Sequence, residues 1–545
     1  MRCLPSEHLS VIVRPVRDLS DRGSSLMHAA SLIRTLLSGC ALTVLSGCLH
    51  VGPEYHAPKP WSPAHYDGHN AHGTSPDSVT SEARLATKWW TVFNDPELSS
   101  LEERLVTQNL SFRLAVANLA ESRAQLMIAG AERFPGLSAA GSYQRQQRST
   151  KQMQETIHRI GGGIVRGTTG TMGDTAKGFI EEAGNNAVVP LLNQWNSSID
   201  ATYEIDLWGR VAHQYEAAKA DLQATEEERR SVLIAQQADM ARSYLTLRGD
   251  QKRLAVLQDS DQTLRRITDV THKRYQGGLV TELDVDASEA RLHDLDAQIA
   301  QLRLGIAQEE NAVALLLGAP PGSLNAELEK GAGIPVVPPV VPVGLPSELA
   351  RRRPDIREAE AKLRAAVAET GEAVADFYPK VTINADFGFQ TLSFRDLGFW
   401  NARAWNVGPS ISLPIFQGGR LRGQLELKKS AQKAAAISYQ QTVVQAWHDV
   451  DNAMIAYHEE QMRRQGLRQE EESDRRALRL AESQYKSGLT NYLNVLNAQE
   501  QLQGAQVSLA SSEATVATDL ARLYNALGGG WEEVTPDKDA GGVNK

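Results

Sequence analysis

The chain has 545 residues, 41% of them hydrophobic but only 6% aromatic, a balance that favours long helices over thick globular cores. The formal net charge is −9, and because the first 47 residues hold five Arg against three acids, the remainder carries −11. That excludes a broad basic surface for nucleic acid. Cys3, Cys40 and Cys48 are the only cysteines, so nothing downstream can form a disulfide or a thiolate metal site.

From Met27 the sequence reads MHAASLIRTLLSGCALTVLSGC, with a single Arg34, an apolar run over 35–45 and then Leu45-Ser46-Gly47-Cys48. This stretch resembles a bacterial lipoprotein signal, which implies cleavage before Cys48 and acylation of that residue. The same small-residue box at Cys40 has too few apolar residues behind it. Residues 1–26 carry four Arg and no export run, which points to Met27 as the true start. At roughly 11 residues the apolar run falls short of the ~18 needed to span a bilayer uncut. The expected division is a signal over 1–47 and a lipidated extension over 48–94.

Helical composition starts at 95 and runs to 132. It gives way to a weak alternation of Leu137, Ala139, Gly141 and Tyr143, then to a Gly- and Thr-rich stretch between 147 and 190. That stretch lacks the Gly-Lys-Ser/Thr ending of a phosphate loop and reads as a long exposed loop. A strict alternation follows: Trp195, Ser197, Ile199, Ala201, Tyr203, Ile205 and Leu207 face one way, Asn196, Ser198, Asp200, Thr202, Glu204 and Asp206 the other. Period two with one apolar and one polar face predicts a half-buried strand.

Two helices, 210–275 and 281–317, come next, the first about 100 Å long at 1.5 Å per residue. Apolar positions seven apart, such as Leu247 and Leu254, with Ala between them predict close helix packing. Between the helices lies GGLVTELDV at 277–285, where Gly277-Gly278 stops one helix and Thr281 caps the next. An extended Pro-rich linker, 331–346, then separates two halves of the chain.

The second half repeats the first. A helix over 347–376, strands on Val381-Ile383-Ala385-Phe387-Phe389 and Trp405-Val407-Pro409-Ile411, helices over 420–485 and 491–527, and a turn SGLTNYLNV at 487–495 match their counterparts. The offset is 210 residues, as in Tyr275 with Tyr485, Gly278 with Gly488 and Leu283 with Leu493. Ahead of the insertion it is 244, aligning Pro135 with Pro379. The expected repeats are 95–330 and 347–530, with a flexible tail over 531–545. Pro354 and Asp355 read as helping to begin a helix segment, with Arg351 to Arg353 solvated or paired.

Each repeat thus offers two strands of a length that spans a bilayer when tilted. Four strands cannot close a barrel, and open edges are not tolerated in lipid, so several chains must share one.

The sequence resembles outer-membrane efflux proteins of the TolC type, in the lipoprotein branch called NodT. The motifs are GCLHVGPEY, WWTVFNDPELSSL, FPGL, YEIDLWGR, LPSELARRRPDIREAE, FYPK, SLPIFQGGRLRG and YKSGLTNYLNVLNAQ, in order across residues 45–530. The resemblance implies a mixed α and β fold. It implies a homotrimer whose chains each give four strands to a twelve-stranded outer-membrane β-barrel, continued by a long periplasmic α-helical barrel.

It also implies a conduit for drugs or other small molecules delivered by an inner-membrane pump of the resistance-nodulation-division type through a periplasmic adaptor. No cofactor and no nucleic acid take part. The adaptor-docking tips map onto Gly278, Leu279 and Val280 and onto Gly488, Leu489 and Thr490. The periplasmic aperture maps onto Leu493, Asn494 and Asn497, with Asp284 and Asp286 beyond the first turn.

Relatives' acids at the aperture fall here on the amides of Asn494 and Asn497. The alternatives are an export system for metal ions or secreted products, or a lipid-anchored periplasmic coiled coil that transports nothing. An enzyme is disfavoured because the 13 His are scattered and neither H-E-x-x-H nor G-x-S-x-G occurs.

Overall fold

The computed structural model describes residues 50–59, 79–81, 87–147, 191–329, 333–344 and 346–531, with isolated positions between. The signal segment with Cys48, most of the 147–190 insertion, and 532–545 lie outside the described residues. Six strands lie among the described residues: β1 (Val79–Ser81), β2 (Gly136–Gln146), β3 (Leu192–Ile205), β4 (Val340–Pro342), β5 (Lys380–Thr391) and β6 (Arg403–Ser412). Helices are α1 (Pro96–Gln108), α2 (Leu110–Ala131), α3 (Arg210–Gln276), α4 (Glu282–Leu316), α5 (Asn325–Leu328), α6 (Pro346–Arg352), α7 (Pro354–Ala375), α8 (Arg420–Lys486) and α9 (Tyr492–Ala526).

The duplication is carried into the fold residue for residue. α3 and α8 each have 67 residues and start 210 apart, while α4 and α9 each have 35 and keep the same offset. α2 and α7 each have 22 and keep the offset of 244.

Two helices expected to be continuous are broken. Residues 95–132 divide at Asn109, whose backbone is extended (φ −60°, ψ 124°) and whose side chain accepts from the Phe112 amide at 2.8 Å, so it closes α1 and caps α2. Residues 347–376 divide at Arg353, because Pro354 disfavours the helical region for the residue before it and sits well at the first position of α7. Arg353 is buried and fully used. It donates to the Ala526 carbonyl at 2.8 Å and pairs with Asp355 at 2.7 Å and Asp449 at 3.1 Å.

The expectation of no thick core also fails. A belt around the middle of the helices gathers Trp89, Trp90 and Phe93 from a 3-10 turn, Leu98, Leu101 and Leu105 of α1, Tyr244 of α3, Tyr457 of α8 and Tyr524 of α9. The few aromatics are concentrated there, and Trp89 stacks on Tyr524 with ring centroids 5.4 Å apart. The Pro-rich linker contributes too, since β4 pairs in parallel with β1 and buries Val341. Glu102 of α1 is fully buried, and burial pushes its carboxyl well above the usual carboxylate range. Trp531, where the tail was expected to begin, lies under the guanidinium groups of Arg230 and Arg357.

Asp95 ties this belt together. Its carboxylate accepts from the Glu97 and Leu98 amides at 2.9 and 3.0 Å and from the Tyr244 hydroxyl at 2.8 Å. Asp95→Ala removes an N-cap, about 1–2 kcal/mol, and strands a buried hydroxyl, about 1–3 kcal/mol. Thermal unfolding followed by circular dichroism should shift down by several degrees, with Asp95→Asn in between.

Candidate functional site

The larger sheet has the order β2-β3-β5-β6, antiparallel throughout. Its register gathers the alternations into two faces. Ala139, Ile199, Phe387 and Trp405 align across all four strands, and Leu137, Ala201, Ala385 and Val407 align two positions on. Leu137, Ile199, Phe387, Trp405, Val407 and Ile411 are exposed, so an apolar face of the sheet is uncovered. The opposite face carries the line Ser138, Asp200, Asp386 and Asn406. Among the described residues β2 and β6 each have an unpaired outer edge. Among the described residues no helix is long and apolar enough to cross a membrane.

Below the sheet, YEIDLWGR makes the junction to α3. Gly209 takes φ +83°, letting the strand turn directly into the helix. Arg210 then reaches back to Glu204 at 2.8 Å, which Lys380 also meets at 2.7 Å, and the Trp208 indole donates to the Pro379 carbonyl at 2.9 Å. The chain just after Cys48 is pinned at this level. The Val51 amide donates to the Trp208 carbonyl at 3.2 Å, the Val51 carbonyl lies 2.9 Å from His213 Nε2, and Tyr55 donates to Glu360 at 2.9 Å.

At the other end of the helices are the two turns. In each, the amide three residues past the helix bonds five residues back (Leu279 to Arg274, Leu489 to Gln484, both 2.9 Å). The preceding Gly bonds to Tyr275 or Tyr485, and both Gly278 and Gly488 have φ +71°. This is the Schellman stop, which needs its glycine at the left-handed position only. Ser487 can therefore replace Gly277, since both have negative φ, −86° and −83°. The stop commonly sets an apolar residue in the place of Leu279 against one in the place of Arg274. Here the latter positions hold Arg274 and Gln484, and Leu279 and Leu489 are 76% and 80% exposed. Val280 and Thr490 are half-buried.

The returns start on caps. Thr281 and Asp284 form a capping box, the carboxylate accepting from the Thr281 amide and hydroxyl at 2.9 and 2.7 Å. In the second copy Asn491 accepts from the Asn494 amide at 3.2 Å, and the Asn494 amide group donates to Thr490 at 2.6 Å. Asp284 and Asn494 thus occupy equivalent positions and close the first turns of their helices. Asp286, Leu493 and Asn497 are exposed, and Leu283, the counterpart of Leu493, is exposed as well.

Sequence reasoning missed the links that bind one tip to the other. Arg274 of α3 donates to the Tyr485 hydroxyl of α8 and lies 4.7 Å above its ring, and Tyr485 packs on Tyr492 at 5.6 Å. Arg291 of α4 pairs with Glu500 of α9. Burial, reinforced by the Asp284 charge, raises the Tyr492 hydroxyl above its ordinary value, so it stays protonated in this packing. The shared Tyr275 and Tyr485 were visible in the repeat, but Arg274 has no counterpart in the second copy and so gave no signal.

A family model described as outer membrane efflux protein matches residues 101–319 and 345–529. The chain is similar to the antibiotic efflux pump outer membrane protein ArpC of Pseudomonas putida, 31% identical over 493 residues, 90% of this chain and 94% of that one. It is 30% identical to nodulation protein T of Rhizobium leguminosarum bv. trifolii over 495 residues, 90% and 96% of the two chains. Among solved structures, the outer-membrane channel OprN matches with a TM-score of 0.77 and 29% identity, over 88% of this chain and 99% of that one.

Proposed function

The chain belongs to the outer membrane efflux protein family, and from that premise we propose a passive trimeric conduit fed by an inner-membrane pump through a periplasmic adaptor. The protein is an outer-membrane channel of efflux systems. The observation that carries the trimer is the four-stranded sheet, apolar on one uncovered face and polar on the other, with both edges open among the described residues. In lipid each unpaired backbone group costs several kcal/mol, so neighbouring chains complete the barrel and the polar face lines a watery lumen.

Cys48 is the lipid attachment in this reading. The support is position: Val51, three residues later, lies beside Trp208 at the base of the membrane sheet. Gly278, Leu279, Val280, Gly488, Leu489 and Thr490 meet the adaptor, and Leu493 and Asn497, with Asp286 and Leu283, surround the aperture. Asp284 and Asn494 hold the shape of the tips. The chain divides accordingly into a signal (1–47), a lipidated extension (48–94), two repeats (95–330 and 347–530) joined by the Pro-rich segment, and a tail. Antibiotics are the cargo class in the description of ArpC, and they or similar small toxic compounds are the cargo proposed here.

Planar-bilayer recording of the purified protein tests this. It should conduct, with little change of conductance between about pH 5 and 8, because the aperture of the second copy is set by amides. Asn497→Asp is expected to add a titration near the carboxylate range, raised somewhat by its symmetry mates. Absence of any conductance sinks the channel reading, and a steep native titration abolished by Asp286→Asn sinks the amide aperture.

A further inference from the structure

The helices leave the larger sheet at one end, and the connections from β2 to β3 and from β5 to β6 lie at the other. In an outer-membrane channel that second end faces the cell exterior. The apolar face changes character on the way there. Outward from Trp405 it presents Arg403, then Tyr143 beside Trp195, then Arg145 beside Asn193.

The apolar band ends in rings. Tyr143 packs on Trp195 with centroids 4.3 Å apart, and Trp195 packs on Phe394 of the β5–β6 connection at 4.8 Å. Such rings mark the level where lipid tails give way to head groups. The lengths agree. From Ile205 to Asn193 is about 40 Å of strand at ~3.3 Å per residue, or ~30 Å along the membrane normal at a ~40° tilt, just past an apolar band about 25 Å tall.

Arg145 therefore stands among head groups. Arg403 starts two rows lower and reaches toward the same level, its guanidinium 4.6 Å above the Trp400 ring and donating to the Trp400 carbonyl at 2.8 Å. Charge at this end is one-sided: the outward halves of the four strands and the 392–402 connection hold Arg145, Arg395 and Arg403 against a single acid, Asp396. All three arginines are exposed, and none forms an ion pair among the described residues. At the helix end, by contrast, Arg210 and Lys380 are both met by Glu204.

We propose that this rim binds the phosphates of the glycolipid in the outer leaflet, the guanidinium forks on phosphate oxygens and the rings of Tyr143, Trp195 and Phe394 along the acyl chains. A zwitterionic phospholipid brings an ammonium with each phosphate and leaves the arginine charge unanswered. A lipid with two phosphates on a sugar core answers it. The proposal rests on the trimeric channel reading above, in which β6 of one chain lies beside β2 of the next and Arg403 and Arg145 share one rim.

The test reconstitutes the full-length protein in phosphatidylethanolamine vesicles alone, with bisphosphorylated lipid A, or with lipid A stripped of its phosphates. Only the bisphosphorylated lipid should raise the temperature at which the oligomer dissociates on gels, by several degrees, and it should stay bound on re-extraction. Arg145→Gln combined with Arg403→Gln should retain roughly tenfold less of it, with conductance unchanged. Arg145→Lys with Arg403→Lys keeps the charge without the fork and should fall between. Equal stabilisation of the native protein by the stripped lipid, or by phosphatidylglycerol of equal charge, overturns the glycolipid site, and a conducting oligomer then leaves the channel reading standing. A protein that neither assembles nor conducts overturns both.

Discussion

Leu279→Asp combined with Leu489→Asp is expected to abolish export while leaving the channel assembled and conducting. Both side chains stand beyond a helix stop whose hydrogen bonds are entirely backbone, so the substitution changes the surface of the turn and not its shape. Each leucine is at least three-quarters exposed, and both copies keep one at the same place. Full burial of a leucine against a partner contributes about 1.5–3 kcal/mol. A trimer would present six of them around one opening, so the summed loss far exceeds what a docked assembly can spare. A buried carboxylate without a partner adds a further penalty. Susceptibility of cells to a panel of pump substrates should rise to that of cells lacking the protein, with bilayer conductance and gel mobility unchanged. Retained export with both substitutions would mean that docking lies elsewhere.

Most of the architecture was legible because the sequence states it twice. Alternation at Trp195 to Leu207 and Trp405 to Ile415 is a local signal, and a sheet with one apolar face follows from it. The turns were equally legible, since Gly278 and Gly488 mark left-handed positions and Thr281 and Asn491 the caps. What escaped depends on long-range contacts. The Asn109 break was hidden in a stretch of unbroken helical composition, and Asn109 is fixed in part by distant partners, donating to Gln236 and to the Leu316 carbonyl.

The pairing of β1 with β4 joins segments about 260 residues apart through three residues each, too short for any periodicity. Trp89, Tyr244 and Tyr524 read singly as scattered aromatics and become a core only when four helices bring them together. At the tips, a carboxylate placed among the aperture residues by resemblance, Asp284, also has a purely local task as half of a capping box. The spacing from Thr281 to Asp284 was open to that reading all along.

The joined tips lead to the second large effect: Arg274→Ser should raise single-channel conductance several-fold. Opening a passage between the helix pairs requires the hairpin of the first copy to part from that of the second. Arg274 crosses that boundary with a hydrogen bond to the Tyr485 hydroxyl and a cation–π contact to its ring. A hydrogen bond of this kind contributes about 0.5–1.5 kcal/mol and the ring contact about 0.5–2 kcal/mol. Together they shift the balance between joined and parted tips by roughly five- to three-hundredfold per protomer, at about 1.4 kcal/mol for each factor of ten. The backbone stop survives, because Leu279 bonds to the carbonyl of residue 274 whatever its side chain. Arg291 and Glu500 form a second crossing that should keep the single variant partly closed, so adding Glu500→Gln should raise conductance further. Arg274→Lys keeps the charge but loses the planar fork and should fall between. Equal conductance in the native protein and the double variant would show that these links do not hold the aperture, and that the apolar ring of Leu283 and Leu493 closes it unaided.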